Sequence, residues 1–436
     1  MSSKPIYKGE NMPKSWSPET AAIHAAYDKK SGEGTMAVPI YQTTAYEFGS
    51  AETAANRFAL QELGNIYTRL NNPTTGVLEG RFAEVEGGAA ALATSSGAAA
   101  TFYAIANLAA AGENILLANK IYGGTLSLAQ YTIKRFGIEA RIFDPQKPET
   151  IEPLIDAKTR AIIFESISNP SIDIADAEGI AAIAKRHKIV TIVDNTVATP
   201  YLFRPFDWGV DVSVHSLSKY TSGQGLGIGG IIVERHGLND LLIGNDRYAH
   251  FNEPDPSYHG LVYAKLPFPL FTLRARLSLA RDIGAISQPF TSWLFIQGLE
   301  TLNLRIQRHS ESALEIAKWL GKHPKVKSVK YPTIAGGINA ELAKKYLKNG
   351  ASGLLSFDVG DAALAKKTLN NTKIFSRVVN IGDSKSIITH PSSTTHQQLN
   401  EQEQLDCGIL PGLVRLSIGL ENPADLIADL EQALNS

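Results

Sequence analysis

The chain has 436 residues, and its 42 Lys plus Arg against 43 Asp plus Glu leave a formal net charge of −1, so no global field recruits nucleic acid or an acidic membrane surface. Hydrophobic residues make up 44% and charged residues 19%, values that exclude a disordered chain, and the length predicts two domains. The single cysteine, Cys407, excludes an intramolecular disulfide and any multi-cysteine metal centre, and no apolar run approaches the ~20 residues of a membrane span.

No metal, nucleic acid or membrane partner is therefore expected. The first 20 residues lack the apolar stretch of a secretory signal, and the cytoplasm is the expected location. In chain order, residues 1–65 show no strong periodicity and predict an N-terminal arm. Residues 66–289 predict an α/β domain, because short β-branched runs alternate with helix-like stretches as in a mostly parallel sheet covered by helices. Candidate strands are 114–118, 140–143, 160–165, 189–194, 210–215 and 228–233. The Ala-rich stretch 97–111 is apolar nearly all round and predicts a buried helix. Residues 234–289, rich in Gly, Pro and Tyr, predict an irregular surface insertion or lid. Residues 290–436 predict a C-terminal α+β domain that opens with a long helix closing at Gly321. The lysines between 322 and 330 read as a solvated sheet edge.

Lys219 is the sharpest chemical signal. It follows an apolar strand, with the hydroxyls of Ser216 and Ser218 three and one residues before it. Burial lowers an amine's pKa and makes it a nucleophile toward aldehydes, and nearby hydroxyls can hold a phosphate, the requirements of a Schiff base to pyridoxal 5'-phosphate. Taken alone, the string equally describes a strand-end lysine reaching solvent. Asp194 closes the preceding apolar strand, where open α/β sheets assemble ligand sites, and could pair with a protonated pyridine nitrogen; taken alone it is better explained as a helix cap or a metal ligand. Ser95, Ser96 and Gly97 precede the Ala-rich helix, whose free N–H groups suit a phosphate; serine capping explains them equally. The glycines from 223 to 230 contain GxGxxG but lead into Ile231, Ile232 and Val233 instead of a helix, which excludes a dinucleotide loop. His390 and His396 lack metal-site spacing and read as structural.

In this order the motifs resemble the Cys/Met-metabolism family of fold type I pyridoxal-phosphate enzymes, from about Thr20 to the C-terminus. The resemblance implies a seven-stranded, mostly parallel sheet and a smaller C-terminal α+β domain. It implies Lys219 as the Schiff-base lysine, Ser216 and Ser218 as phosphate or lysine contacts, Tyr122 as the ring-stacking and proton-transfer tyrosine, and Asp194, with Thr196 nearby, as the pyridine-nitrogen partner. Asn169, four residues after Glu165, matches the asparagine near the cofactor hydroxyl, and Ser96, Gly97 and Ala98 match the phosphate-binding helix start. Tyr67 and Arg69 resemble residues that a neighbouring subunit lends to the phosphate, which implies a homotetramer built as a dimer of dimers. Arg415, with Asn380 and Ser393, matches the group that binds the substrate α-carboxylate.

Within the family, Gly124 stands where methionine γ-lyases carry a cysteine. The segments 380–386, 390–396 and 254–259 resemble the O-acetylhomoserine sulfhydrylase subgroup. The implied reaction is a γ-replacement that converts O-acetyl-L-homoserine and sulfide to L-homocysteine and acetate in methionine biosynthesis. Cystathionine γ-synthase and the γ-lyases are the rivals sharing the cofactor, and a non-catalytic anion-binding α/β protein is the rival from another class.

Overall fold

The computed structural model describes residues 16–334, 336–395, 397, 400–406 and 408–436. Cys407 and His396 lie outside them. One sheet carries β1 (Gly88–Thr94), β2 (Asn114–Ala118), β3 (Glu139–Phe143), β4 (Thr159–Glu165), β5 (Val190–Asp194), β6 (Val212–Ser216) and β7 (Gly230–Arg235). Their order is β1-β7-β6-β5-β4-β2-β3. The strands from β6 to β3 in that order run parallel, whereas β7 pairs antiparallel with both β6 and β1. Parallel strands need both faces covered, and the period-2 alternation provides for it. Ile115, Leu117, Ile163, Ile192 and Val214 enter one apolar cluster, while Leu116, Ile162, Phe164 and Val193 enter the other.

Six of these strands lie where the β-branched runs predict them. β1 carries no such signal, since Ala89, Ala90, Ala91 and Ala93 favour helix, and its pairing with β7 decides its state. The helix predicted over 97–111 is Gly97–Ala106. It stops there because Asn107 turns inward, donating to the Phe271 carbonyl at 2.9 Å and accepting from Arg274 Nη1 at 2.8 Å.

The segment 234–289 departs from the expected surface lid. Its Gly and Pro residues do break it into short helical turns, but Tyr248, Phe251, Tyr263, Leu270 and Phe271 are fully buried. The Tyr248 hydroxyl donates to the Arg160 carbonyl at 2.7 Å and accepts from Val190 N at 2.8 Å. That part of the segment thus seals the amino ends of β4 and β5, the edge opposite the strand ends that carry Glu165 and Asp194.

The long helix expected from Phe290 is two helices, Pro289–Glu300 and Leu302–Leu320, which break at Thr301. Just before the break the packing is close: a Cβ on Gly298 would lie 2.0 Å from the Thr221 carbonyl oxygen. At the break, Arg305 donates to the carbonyls of Tyr220 and Gly298. Beyond it, β8 (Ser328–Lys330), β9 (Leu354–Asp358), β10 (Ile387–Thr389) and β11 (Leu413–Ser417) form an antiparallel sheet in the order β10-β11-β9-β8. The lysine-rich β8 is an edge, as expected. Within the predicted arm, helix Pro18–His24 buries Ala21 and Ala22 in the main core, and Arg81 Nε bonds the Ala25 carbonyl at 3.2 Å. Among the described residues no helix is long and apolar enough to cross a membrane.

Two buried histidines make the fold acid-sensitive. Burial depresses His250 and His309 to about 4. Each of these histidines therefore binds fewer protons in the folded than in the unfolded state between that value and ~6.5, so its contribution to stability is fully present above ~6.5 and is lost as pH falls toward 4. The buried carboxyls of Glu165, Asp194, Asp211 and Glu234, which burial raises, act with the opposite sign in this window, so the histidine contribution is read as a difference between wild type and variant in urea unfolding across pH 4–7. His309→Gln, which keeps a donor for the Ile418 carbonyl, should lose less stability than wild type as pH falls from 7 to 4; an identical pH dependence contradicts the assignment.

Candidate active site

The carboxyl ends of the parallel strands share one edge of the sheet, the place where open α/β sheets bind ligands. β4 ends in Glu165, β5 in Asp194 and β6 in Ser216, with Glu165 and Asp194 paired in register. The chain turns after β6, and Lys219 Nζ donates to Asn380 Oδ1 at 2.7 Å. Burial, then the charge of Arg415, lowers the Lys219 pKa below its ordinary value.

Arg415 comes from β11 in the other domain and is only 3% exposed. Its Nη1 donates to Asn169 Oδ1 at 3.0 Å, and its Nη2 donates to the Asn380 carbonyl at 3.0 Å and to Thr389 Oγ1 at 3.2 Å. Among the described residues no carboxylate pairs with it, and its buried Nε has no hydrogen-bond partner. Desolvation lowers this guanidinium to about 10. A cation so placed is poised for an anionic ligand, since burying one uncompensated is costly.

Asp194 Oδ1 accepts from Thr196 N at 2.9 Å, and Thr196 Oγ1 accepts from Ser216 N at 2.8 Å, which ties the ends of β5 and β6 together. Burial raises the Asp194 pKa, and it raises that of Glu165 with added repulsion from Asp194. Behind these strands Glu86 accepts from His215 Nε2 at 2.7 Å and Asn195 Nδ2 at 3.0 Å, and also bonds the Ser213 hydroxyl. This fully buried cluster fixes the neighbours of Asp194 and Ser216. The Ser96 side chain caps helix Gly97–Ala106 through Ala99 N, with Ala98 in the first turn. A Cβ on Gly97 would lie 2.7 Å from Ser216 Cβ, so glycine lets this helix start close against β6. Ser218 Oγ accepts from Gly229 N at 3.0 Å.

Two clefts flank Asn380. One, about 430 Å³, is lined by Ser218, Lys219, Asn380 and the 225–228 loop. The other, about 420 Å³, is lined by Tyr122, Gly123, Gly124, Ser127, Val379, Thr394 and Thr395, none of which carries a charge at neutral pH.

The structure thus links Lys219, Asn380, Arg415 and Asn169 by direct bonds. It places Asp194, Thr196, Ser216, Ser218 and Ser96 with Gly97 at the adjoining strand and helix ends, and Tyr122 on the second cleft. Three expected residues stand apart. Arg69 stacks over the Tyr67 ring at 5.3 Å, near Gly284. Ser393 is exposed and donates to His390 Nδ1 at 2.7 Å, because the Pro411 carbonyl, 2.8 Å from Nε2, requires a proton on that nitrogen. His390 is structural, as expected. Thr389, Glu86 and His215 were not legible as site residues: their types are ordinary in strands and helices, and only tertiary contacts bring them there.

Comparisons with known proteins agree in kind. The profile of the family described as Cys/Met metabolism PLP-dependent enzyme matches residues 19–435. An O-acetyl-L-homoserine sulfhydrylase of Leptospira meyeri is 45% identical over 98% of this chain and 99% of its own. A homocysteine/cysteine synthase of Saccharomyces cerevisiae is 41% identical over 96% and 97%. A Campylobacter jejuni crystal structure containing N'-pyridoxyl-lysine-5'-monophosphate is 54% identical, has a TM-score of 0.95, and covers 97% of this chain and 100% of its own.

The Lys219 environment is directly measurable. Reductive methylation of the cofactor-free protein, followed peptide by peptide across pH 7–11, should give Lys219 an apparent midpoint below the ~10.4 of a free lysine side chain. A midpoint at or above that value contradicts the burial argument.

Proposed function

The chain belongs to the Cys/Met metabolism family of PLP-dependent enzymes, and from that premise we propose that it performs γ-replacement on O-acetyl-L-homoserine, exchanging acetate for sulfide to give L-homocysteine. The observation that carries this reading is the meeting of Lys219 and Arg415 at Asn380, beside an uncharged cleft. A nucleophilic amine and a carboxylate-binding cation stand side by side, with neutral space for a short acyl ester. A succinyl or phospho ester, or a cysteine nucleophile, would bring further charge into a cleft whose lining offers none, which favours acetyl and sulfide over the cystathionine synthase alternative.

The residues present suit pyridoxal phosphate. Asp194 is a buried carboxylate that would pair with the pyridine nitrogen, and Thr196 would hold it in place. The N–H groups of Gly97 and Ala98 with the hydroxyls of Ser96, Ser216 and Ser218 would hold the phosphate. Asn169 would face the ring hydroxyl, and Tyr122 would stack on the ring. Lys219 would bind the cofactor as its Schiff base. Bound pyridoxal phosphate supplies an electron sink that stabilises negative charge next to the substrate amino group.

The chain's own groups account for the remaining steps. Arg415, with Asn380, would fix the substrate α-carboxylate and so set which substrate proton faces Lys219. The Lys219 amine, whose pKa burial lowers, would take that proton on Nζ and later return it. Tyr122 borders the cleft where the γ-carbon lies, and its hydroxyl would assist departure of acetate; the C–O bond breaks there and the C–S bond to sulfide forms. Ser393 would act from the rim.

The same reading assigns Tyr67 and Arg69 to the phosphate of a neighbouring subunit, which suits their position apart from Lys219 in their own chain. It carries a homotetramer built as a dimer of dimers, a cytoplasmic location, a place in methionine biosynthesis, and no nucleic-acid or membrane partner. The domain limits 1–65, 66–289 and 290–436 belong to the same proposal.

Product analysis tests the reaction. O-acetyl-L-homoserine with sulfide should give homocysteine and acetate in equal amounts without ammonia. Cystathionine as the dominant product when cysteine is supplied, or ammonia and an oxo acid without any thiol, contradicts it.

A further inference from the structure

Glu165 touches neither cleft, yet it is bonded to more of the site than its position at the end of β4 requires. It is buried, and its two carboxylate oxygens face different segments: Oε1 accepts from Tyr122 N at 2.8 Å and Oε2 from Asn169 N at 3.1 Å. Tyr122 opens helix Gly123–Ser127 with no side-chain cap, and the residue is 47% exposed. Its backbone anchorage therefore largely sets where the ring lies. Asn169 in turn accepts from Arg415 Nη1 at 3.0 Å. Among the described residues no cation pairs with Glu165. Its remaining close charge is Asp194, its register partner, which is repulsive. A buried acid without a cation, beside a second acid, is a poor stabiliser of the fold. Its two backbone bonds are its positive contribution, and each ends on a residue of the site.

We infer that Glu165 is a positioning residue: one carboxylate spans the 119–122 loop and the 166–170 turn, and so fixes Tyr122 relative to Asn169 and, through Asn169, to Arg415. The inference rests on the functional reading above, since it concerns the groups that hold cofactor and substrate. Geometry sets its consequence. Glu165→Gln retains size but has a single acceptor oxygen, so one of the two N–H groups meets an NH₂ donor. Glu165→Asp retains the charge but is one methylene too short to span both.

Both variants should be prepared as holoenzyme beside wild type and assayed for homocysteine formation, for KM toward O-acetyl-L-homoserine, and for visible circular dichroism of the bound cofactor. Both should keep the cofactor's visible absorbance but lose roughly half or more of the dichroic amplitude, because the stacked ring is no longer held in one orientation. Both should lose roughly 10- to 100-fold in kcat/KM, the scale expected from misplacing groups by about 1 Å. The Gln effect should shrink severalfold in a Tyr122→Ala background if Glu165 acts through Tyr122. Unchanged dichroism with near-normal kcat/KM, an Asp variant equal to wild type, or full multiplicativity with Tyr122→Ala would each overturn the inference. Should the Gln variant fail to fold, the Asp variant decides alone. A wild-type holoenzyme without homocysteine formation would sink the functional reading instead, and the two failures are thereby distinguishable.

Discussion

Burying a guanidinium without a counter-charge is expensive, and the arrangement around Arg415 is organised by that cost. Its three hydrogen bonds end on a side-chain amide, a backbone carbonyl and a hydroxyl, all neutral. They draw in residues from both domains: Asn169 follows β4 of the large sheet, while Thr389 ends β10 of the small one and Asn380 lies on the chain before it. The cation thereby helps define how the two sheets meet. It also sets the chemistry next to it, because Lys219 shares Asn380 with Arg415, and a second positive charge there would be repelled. An amine of lowered pKa beside a fixed cation is a combination that suits α-proton transfer on an amino acid.

The carboxylates obey the same rule with opposite sign. Glu165 and Asp194 close adjacent parallel strands, and burial raises both. They differ in what their oxygens do. Glu165 spends both on backbone N–H groups, whereas Asp194 accepts from Thr196 N through Oδ1. Asp194 therefore keeps an oxygen for a cationic partner such as a protonated pyridine nitrogen. Glu165 serves the geometry of the loops around it. Two acids in register can thus perform unlike tasks because the turns that follow β4 and β5 present different donors.

Much of this was legible in the sequence. Short β-branched runs marked six strands, and Asp194 and Lys219 stood out as charges at or just after the ends of such runs; each alone also reads as a cap or a solvent-reaching lysine, and only their occurrence together with the other motifs singled them out. The alanine-rich β1 was hidden because its strand state comes from pairing with β7. Thr301 could not be read as a helix break, since the leucines and glutamate around it are good helix formers. The 234–289 segment misled because Gly and Pro report broken secondary structure and say nothing about burial; its aromatics, Tyr248 and Phe251 among them, were the better guide. Arg415 reads locally as an ordinary strand arginine, and only the family resemblance or the fold marks it. The buried Glu86 and His215 pair is separated by 129 positions, beyond the reach of local pattern.

The claim on which the account turns is that Lys219 holds the cofactor. Reduction of the holoenzyme with borohydride, followed by proteolysis and mass spectrometry, tests it without reference to turnover. The account predicts a phosphopyridoxyl group on the peptide containing Lys219, with the visible absorbance lost on reduction. The same group on a different lysine, or cofactor released intact after reduction, would contradict it.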